Sequence, residues 1–95
     1  MVLESNSGQL VGSIQTLPYL EGVGVIFAVQ VSPRHQRKGF GRFLVVAAIN
    51  ALAQQGFRSV ELAVDSSNVA AVTLYENMGF DIIRRDLTYE QHAQI

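Results

Sequence analysis

Residues Val31 to Arg42 read Val-Ser-Pro-Arg-His-Gln-Arg-Lys-Gly-Phe-Gly-Arg, and the pattern of apolar residues changes its period across them. The run before it, Val23–Val31, is almost continuously apolar and rich in branched residues, which is typical of a strand covered on both faces. After Gly41 the apolar residues recur at spacings of three and four, the pattern of an amphipathic helix. The stretch is therefore a loop that leads from a buried strand into a helix.

This loop is suited to binding phosphate. A helix N-terminus presents unpaired N–H groups and a partial positive charge, and Gly39 and Gly41 lack the Cβ atom that would keep an anion away from their backbone. Four of the seven Lys and Arg residues fall within nine positions, namely Arg34, Arg37, Lys38 and Arg42. A basic turn without a ligand is the alternative, which two glycines alone would favour. The strand before and the helix after shift the prediction towards a loop, Gln36–Gly41, that holds a phosphate-bearing cofactor.

The rest of the pattern predicts one α/β domain over residues 1–95, with no linker or repeat. The sheet is predicted to be mixed, antiparallel at its start and parallel where the helical crossover joins Val25–Val31 to the next strand. The predicted elements are strands Val2–Glu4, Leu10–Thr16 and Val23–Val31, a helix ending near Gly56, a strand Ser59–Val64, a helix capped within residues 65–68 and running to Met78, and a strand Asp81–Arg85.

Composition narrows the class of protein. Hydrophobic residues make up 48% of the chain and charged residues 16%, against about 25% charged in ordinary domains, so part of the apolar area is expected in a subunit interface. A net charge of −1 predicts no nucleic-acid or membrane partner. The absence of cysteine excludes disulfides, thiolate metal sites and a cysteine nucleophile. Without a membrane-length apolar run or a signal peptide, we expect a soluble, cytoplasmic protein.

A second motif lies downstream of the first. Residues Asn68 to Phe80 follow the pattern Asn-x-x-Ala-x-x-Leu-Tyr-Glu-x-x-Gly-Phe. The loop itself follows the pattern Gln/Arg-x-x-Gly-x-Gly/Ala over Gln36–Gly41, and a valine precedes it two residues before a proline. In these two motifs the chain resembles the GNAT superfamily of acyl-coenzyme A-dependent N-acetyltransferases, from about Leu10 to Ile83.

The resemblance implies a GNAT-like α/β fold, acetyl-coenzyme A as co-substrate and no metal. Val29 and Val31 would pair their backbone with the pantetheine arm, as an added strand does. Asn68 would hydrogen-bond the pantetheine and Ala71 would leave room for it, while Arg42 would lie at the edge of the pyrophosphate. The backbone amides that bind the pyrophosphate would be those of Gln36, Arg37, Lys38, Gly39, Phe40 and Gly41.

The resemblance also implies that Tyr75 faces the sulfur of the thioester as general acid. Attack by an amine expels a thiolate whose conjugate acid has a pKa of about 8–9, and a tyrosine with a pKa near ~10 can supply the proton. The alternative is a core aromatic beside Leu74 and Met78. The acceptor would be a small-molecule or protein amine. A non-catalytic acyl-coenzyme A-binding or partner-binding module is the second hypothesis, which the presence of both Tyr75 and Asn68 disfavours.

The general base is left open. Three carboxylates near the predicted cleft could deprotonate an ammonium directly or through water, and none of them is favoured: Glu21, Glu61 and Asp65. His35 is expected to be a solvated loop histidine.

Both ends of the chain depart from the resemblance. The hairpin begins almost at Met1, so we expect the opening strand and helices of relatives, which usually wall the acceptor pocket, to be absent. Beyond Arg85 we expect no further strand. An exposed edge at Val2–Glu4 and an apolar tail over residues 86–95 then predict a homodimer.

Overall fold

The protein is described by a computed structural model that covers the backbone of residues 1–65, 67–85 and 88–94 and the side chains of residues 1–65 and 67–81. Its elements are β1 (Val2–Glu4), β2 (Leu10–Leu20), β3 (Val23–Val31), a 3-10 turn (Pro33–His35), α1 (Phe40–Gln54), β4 (Ser59–Asp65), α2 (Val69–Asn77), β5 (Asp81–Arg85) and β6 (Thr88–Gln94). The six strands form one sheet in the order β1-β2-β3-β4-β6-β5.

The sheet is mixed, as the sequence predicts. β1, β2 and β3 are antiparallel neighbours, and β3 and β4 are parallel, joined by the crossover helix α1. The parallel pairs run from Val23–Ser59 to Ile26–Leu62. Because a parallel pair needs a crossover connection, the helix that follows the basic loop is what places β4 beside β3.

The expectation that no strand follows Arg85 is wrong. β6 lies between β4 and β5 and is antiparallel to both. The residues of β6 read Thr-Tyr-Glu-Gln-His-Ala-Gln, which lacks a clear apolar alternation, and no glycine or proline marks the connection before it. Its place depends on backbone pairing with two neighbours, which the side-chain pattern does not reveal. Residues 88–94 of the tail therefore have a position in the sheet and no longer support a dimer, while residues 86, 87 and 95 lie outside the described residues.

β2 is longer than predicted, because Pro18 does not end it. Pro18 pairs with Gly24 on β3, and the register is irregular between Pro18 and Leu20. The pairing of β1 with β2 ends at Ser13, and backbone hydrogen bonds between Met1 and Ile14 follow it, so the other side of β2 at Pro18 is a free edge within the described sheet. Proline lacks an N–H group and is tolerated where that group would face away from a ladder.

Both helices pack against the same face of the sheet. Buried residues of α1 and α2 form one cluster with the inward residues of β2, β3 and β4, the largest fully buried side chains being Ile14, Ile26, Leu44, Leu62, Val45 and Val60. Along β4 the burial alternates, with Val60, Leu62 and Val64 inside and the residues between them partly exposed. No described helix is both long and apolar enough to cross a membrane.

Gly12 allows α1 to pack closely against the sheet, because it has no Cβ atom. A Cβ atom at Gly12 would lie 2.6 Å from the Gln30 carbonyl oxygen and 2.9 Å from Leu44 Cδ1. The first contact is with backbone, which has little freedom to move. We predict that Gly12→Ala lowers the free energy of unfolding by about 1–3 kcal/mol, measured by urea denaturation.

Gly41→Ala is the matched control for this substitution. Its Cβ atom would meet Val31 Cγ2 at 3.9 Å and Leu74 Cδ2 at 4.0 Å, which are ordinary contacts. This variant should remain within about 1 kcal/mol of the wild type. Equal stability of the two variants would contradict the close approach at Gly12.

Candidate active site

The site begins where β3 turns away from β4. β3 carries an irregularity opposite β2, since Ser13 pairs with Gln30 while Gln15 pairs with Phe27. The extra residue falls beside Ala28, whose φ of 52° is unusual for a residue other than glycine. Within the described residues, β3 beyond Ile26 pairs with β2 and not with β4. The backbone from Phe27 to Val31 is therefore open on the side of β4.

The basic loop closes the far end of this opening. Gly39 has a φ of 85° and precedes the first residue of α1, Phe40. Arg37 is also left-handed, with a φ of 63°. Two left-handed residues within three positions bend the loop sharply. The last two residues of the predicted motif, Phe40 and Gly41, belong to the first turn of α1.

Side-chain hydrogen bonds tie the loop to the end of β3. Gln36 Nε2 donates to the Val31 carbonyl oxygen at 3.1 Å, and Ser32 Oγ lies 2.6 Å from His35 Nδ1. The His35 ring also meets the Phe40 ring edge-on, with 5.9 Å between centroids. His35 is half-buried, so the expectation of a solvated histidine is wrong. It follows a serine three positions earlier in a 3-10 turn, and that spacing could have indicated the contact.

The two helix N-termini differ in how they are capped. At α2 the Asn68 side chain accepts a hydrogen bond from the Ala71 N–H at 3.2 Å. At α1 no side chain in the described part of the chain caps the helix, and its first turn contains no acidic residue. The N–H groups at the start of α1 therefore lack the side-chain acceptor that α2 has. They follow a loop in which Arg37, Lys38 and Arg42 are exposed.

The structure brings several predicted cofactor-binding residues together. A groove of about 490 Å³ beside the loop is lined in part by Val29, Val31 and Gln36. Its other described lining residues include Gly12 and Ser13 of β2 and none of β4 or α2, so this groove lies on the β2 side of β3 and not in the opening towards β4. The position of a Cβ atom at Gly41 lies within 4.0 Å of both Val31 and Leu74, so the start of α1 stands between β3 and α2. Asn68 and Ala71 are instead engaged with each other at the start of α2. The capping bond accounts for Asn68 structurally, and its contact with a cofactor stays a prediction.

Tyr75 lies in the hydrophobic core. Its side chain is only 4% exposed, and its ring packs edge-on against Phe80 at a centroid distance of 6.2 Å. Burial away from water raises the pKa of its hydroxyl. The hydroxyl is therefore protonated at neutral pH, as a proton donor must be, although a higher pKa also makes it a weaker acid. This position of Tyr75 is compatible with both a structural role in the core and the predicted role as general acid.

The three candidate bases occupy very different places. Glu21 lies in the turn before β3, at the end of the strand opposite the loop. Asp65 accepts hydrogen bonds from the Ser67 hydroxyl at 2.7 Å and the Ser67 N–H at 2.8 Å, and these bonds lower the pKa of the exposed carboxyl. Asp65 therefore forms the turn that leads to α2. Glu61 is half-buried on β4, directly beside the last parallel pairs.

Comparison with known proteins assigns this arrangement to a family. Residues 1–80 match the Acetyltransferase (GNAT) family. The chain belongs to the GNAT acetyltransferase family. It is 46% identical over 67 residues to a mycothiol acetyltransferase of Kocuria rhizophila, covering 70% of this chain and 22% of the relative. It is 36% identical over 89 residues to the mycothiol acetyltransferase of Kytococcus sedentarius, covering 94% of this chain and 30% of the relative.

The GNAT fold is shown by solved structures as well. The PaiA N-acetyltransferase of Thermoplasma acidophilum, solved with coenzyme A, superposes with a TM-score of 0.85 at 17% identity, covering 96% of this chain and 57% of that one. The ribosomal-protein-S18-alanine N-acetyltransferase of Escherichia coli gives a TM-score of 0.83 at 27% identity, with 96% and 65% covered. This GNAT chain thus spans about a fifth to a third of the curated relatives named above and about three fifths of these structures.

The burial of Tyr75 makes a prediction about stability at alkaline pH. In the unfolded chain the hydroxyl has a pKa near ~10, and in the folded chain the pKa is higher. Above pH ~10 the unfolded state therefore loses a proton that the folded state keeps, so the free energy of unfolding falls as pH rises. We predict that this fall is steeper in the wild type than in Tyr75→Phe, measured by urea denaturation between pH 8 and pH 11. Identical pH profiles would show that the hydroxyl is not desolvated.

Proposed function

We propose that this GNAT chain is an N-acetyltransferase that moves an acetyl group from acetyl-coenzyme A to a primary amine of a small molecule or a protein. The observation that carries the proposal is the uncapped N-terminus of α1, which follows a basic loop and stands beside the open backbone of β3. An uncapped helix end with neighbouring cations favours a phosphate ligand. The open backbone of β3 suits an extended arm that reaches back from that phosphate. The coenzyme A complex of the PaiA relative supports the same co-substrate.

The proposed role of each residue follows from its position. The amides of Gln36–Gly41 bind the pyrophosphate, with the exposed side chains of Arg37, Lys38 and Arg42 adding positive charge. Val29 and Val31 pair with the pantetheine arm, and Asn68 and Ala71 flank it from α2. Acetyl-coenzyme A, when bound, supplies a thioester whose acetyl carbon the amine nitrogen attacks, which gives an amide and a free thiol. The Tyr75 hydroxyl donates the proton that the departing sulfur takes up. The proton that the amine nitrogen loses passes to water, and water returns a proton to the Tyr75 oxygen, so the step balances.

The second candidate function is a binding module without transferase activity. It is favoured by the burial of Tyr75, since a purely structural tyrosine would occupy the same place. A homodimer also stays a proposal, supported by exposed apolar side chains such as Val2 on the edge strand β1 and Phe43 on α1. The cytoplasmic location expected from the sequence is likewise untested.

Gly41→Glu tests the cofactor site. A carboxylate at the second residue of α1 would place negative charge where the pyrophosphate is proposed to bind, and its side chain would extend between Val31 and Leu74. We predict that its affinity for coenzyme A, measured by calorimetry, falls at least about tenfold, or ~1.4 kcal/mol.

Two variants separate the possible causes of that loss. Gly41→Gln has the same length without the charge, so the difference between the two variants measures the electrostatic part. Gln54→Glu adds the same charge about 20 Å away at the other end of α1 and should bind like the wild type. Wild-type affinity in Gly41→Glu would show that the loop does not bind the pyrophosphate.

Tyr75→Phe tests the chemistry. Removing the hydroxyl should lower kcat roughly 10²-fold while leaving the coenzyme A affinity unchanged, as expected for loss of a general acid. The measurement is release of free thiol with a panel of primary amines. Unchanged turnover would assign Tyr75 to the core alone, and absence of turnover in the wild type despite coenzyme A binding would favour the binding module.

A further inference from the structure

His35 differs from the rest of the basic loop in its surroundings. Within the described loop, residues 33–39, every side chain is exposed except that of His35, which is half-buried. Its ring lies edge-on to the ring of Phe40, the first residue of α1, with 5.9 Å between centroids. This separation is within the range of favourable aromatic pairs. His35 therefore packs against the start of the helix, and none of the roles proposed above uses it.

The other contact of His35 leads to the sheet. Ser32 Oγ lies 2.6 Å from His35 Nδ1, and the His35 N–H donates to the Ser32 carbonyl oxygen at 2.9 Å. The Ser32 N–H in turn donates to the carbonyl oxygen of Val11 on β2 at 2.7 Å. The Val11 side chain is buried. A continuous series of contacts thus runs from β2 through Ser32 and His35 to Phe40.

This series joins the two elements that the cofactor is proposed to contact. The pyrophosphate is proposed to bind at the start of α1, and the pantetheine arm is proposed to lie along Val29–Val31 of β3. Residues 32–39 separate these two elements in the chain. A ligand with two linked parts gains affinity from both only when their two sites are held at the matching separation. The position of the helix start relative to β3 therefore matters for the whole cofactor.

We propose that His35 is a positioning residue, which through Ser32 and Phe40 holds the start of α1 in place relative to β3, so that one cofactor binds both elements at once. This inference rests on the proposed acetyl-coenzyme A site and adds to it a residue to which no cofactor contact is assigned. If losing the Ser32 contact leaves the matching arrangement populated about a fifth of the time, the apparent Kd of coenzyme A rises about fivefold. A ligand that contacts only the start of α1 does not need that arrangement and keeps its affinity.

The experiment compares the Kd of coenzyme A with that of ADP, which carries a pyrophosphate and lacks the pantetheine arm. Coenzyme A is titrated directly by calorimetry, and ADP by displacement of coenzyme A. His35→Phe keeps an aromatic ring beside Phe40 and removes Nδ1, while Ser32→Ala removes the hydroxyl. Each should raise the Kd of coenzyme A about fivefold and leave that of ADP within about twofold. His35→Ala removes the ring contact as well, so its Kd for coenzyme A should be higher still.

A double variant and a control isolate the contact. Ser32→Ala with His35→Phe should bind coenzyme A no more weakly than either single variant, because both substitutions remove the same contact. Ser7→Ala is the matched control, since Ser5 Oγ and Ser7 Oγ lie 2.9 Å apart in the turn between β1 and β2. This variant loses a similar side-chain hydrogen bond away from the loop and should bind both ligands like the wild type.

The outcomes separate this inference from the proposed function. If the wild type binds coenzyme A and the His35 and Ser32 variants bind it equally well, the positioning role is wrong and the proposed cofactor site stands. A loss only in the free energy of unfolding, measured by urea denaturation, would make the contacts structural and overturn the inference. So would additive losses in the double variant, an equal loss of ADP affinity, or failure of ADP to displace coenzyme A from the wild type. If coenzyme A does not bind the wild type, the proposed function fails and this inference fails with it.

Discussion

The two parallel strands at the centre of the sheet are bonded to each other over only four residue pairs, Val23–Ser59 to Ile26–Leu62. Beyond these pairs β3 follows β2 through an irregularity at Ala28, while β4 continues beside β6. Backbone groups that leave a ladder need other partners, since an unpaired buried N–H or C=O group is costly. The separation of β3 from β4 therefore creates an opening, and it leaves backbone groups of β3 that can hydrogen-bond to a ligand in that opening. The basic loop and the uncapped end of α1 both adjoin this opening.

The contrast between the two helices strengthens the assignment of the loop. Both follow strands of the same sheet and both pack into one core. α2 is capped by Asn68, whereas α1 begins at a left-handed glycine without a side-chain cap in the described chain. A cap stabilises a helix by about 1 kcal/mol, so its absence beside several cations is consistent with a ligand that supplies the missing acceptors. The uncapped start of α1 is a property of Gly39 and the residues after it, and it is independent of the resemblance of the motif.

Much of this architecture could be predicted from residue order. The basic loop, the amphipathic helix after it and the parallel crossover follow from local pattern, and the structure confirms the mixed sheet. β6 could not be predicted, because its polar sequence carries no clear alternation and its position depends on two neighbouring strands. The extent of β2 was underestimated, because the tolerance of Pro18 depends on a free strand edge. The partial burial of His35 depends on contacts with Ser32 and Phe40, and of these only the serine contact is indicated by sequence spacing.

Residue order alone displays the family motifs, the basic glycine-containing loop Gln36–Gly41 and the order of the elements up to β5. Those features are local, since helix starts, glycine conformations and clustered charge act within a few residues. Which groups share a face of the sheet follows from the folded arrangement. It placed Tyr75 in the core and Glu61 beside the end of the parallel pairing, and it separated Glu21 from the loop. The face on which a side chain lies, and its distance from other groups, depend on strand register. Strand register is set by long-range packing, which residue order alone does not display.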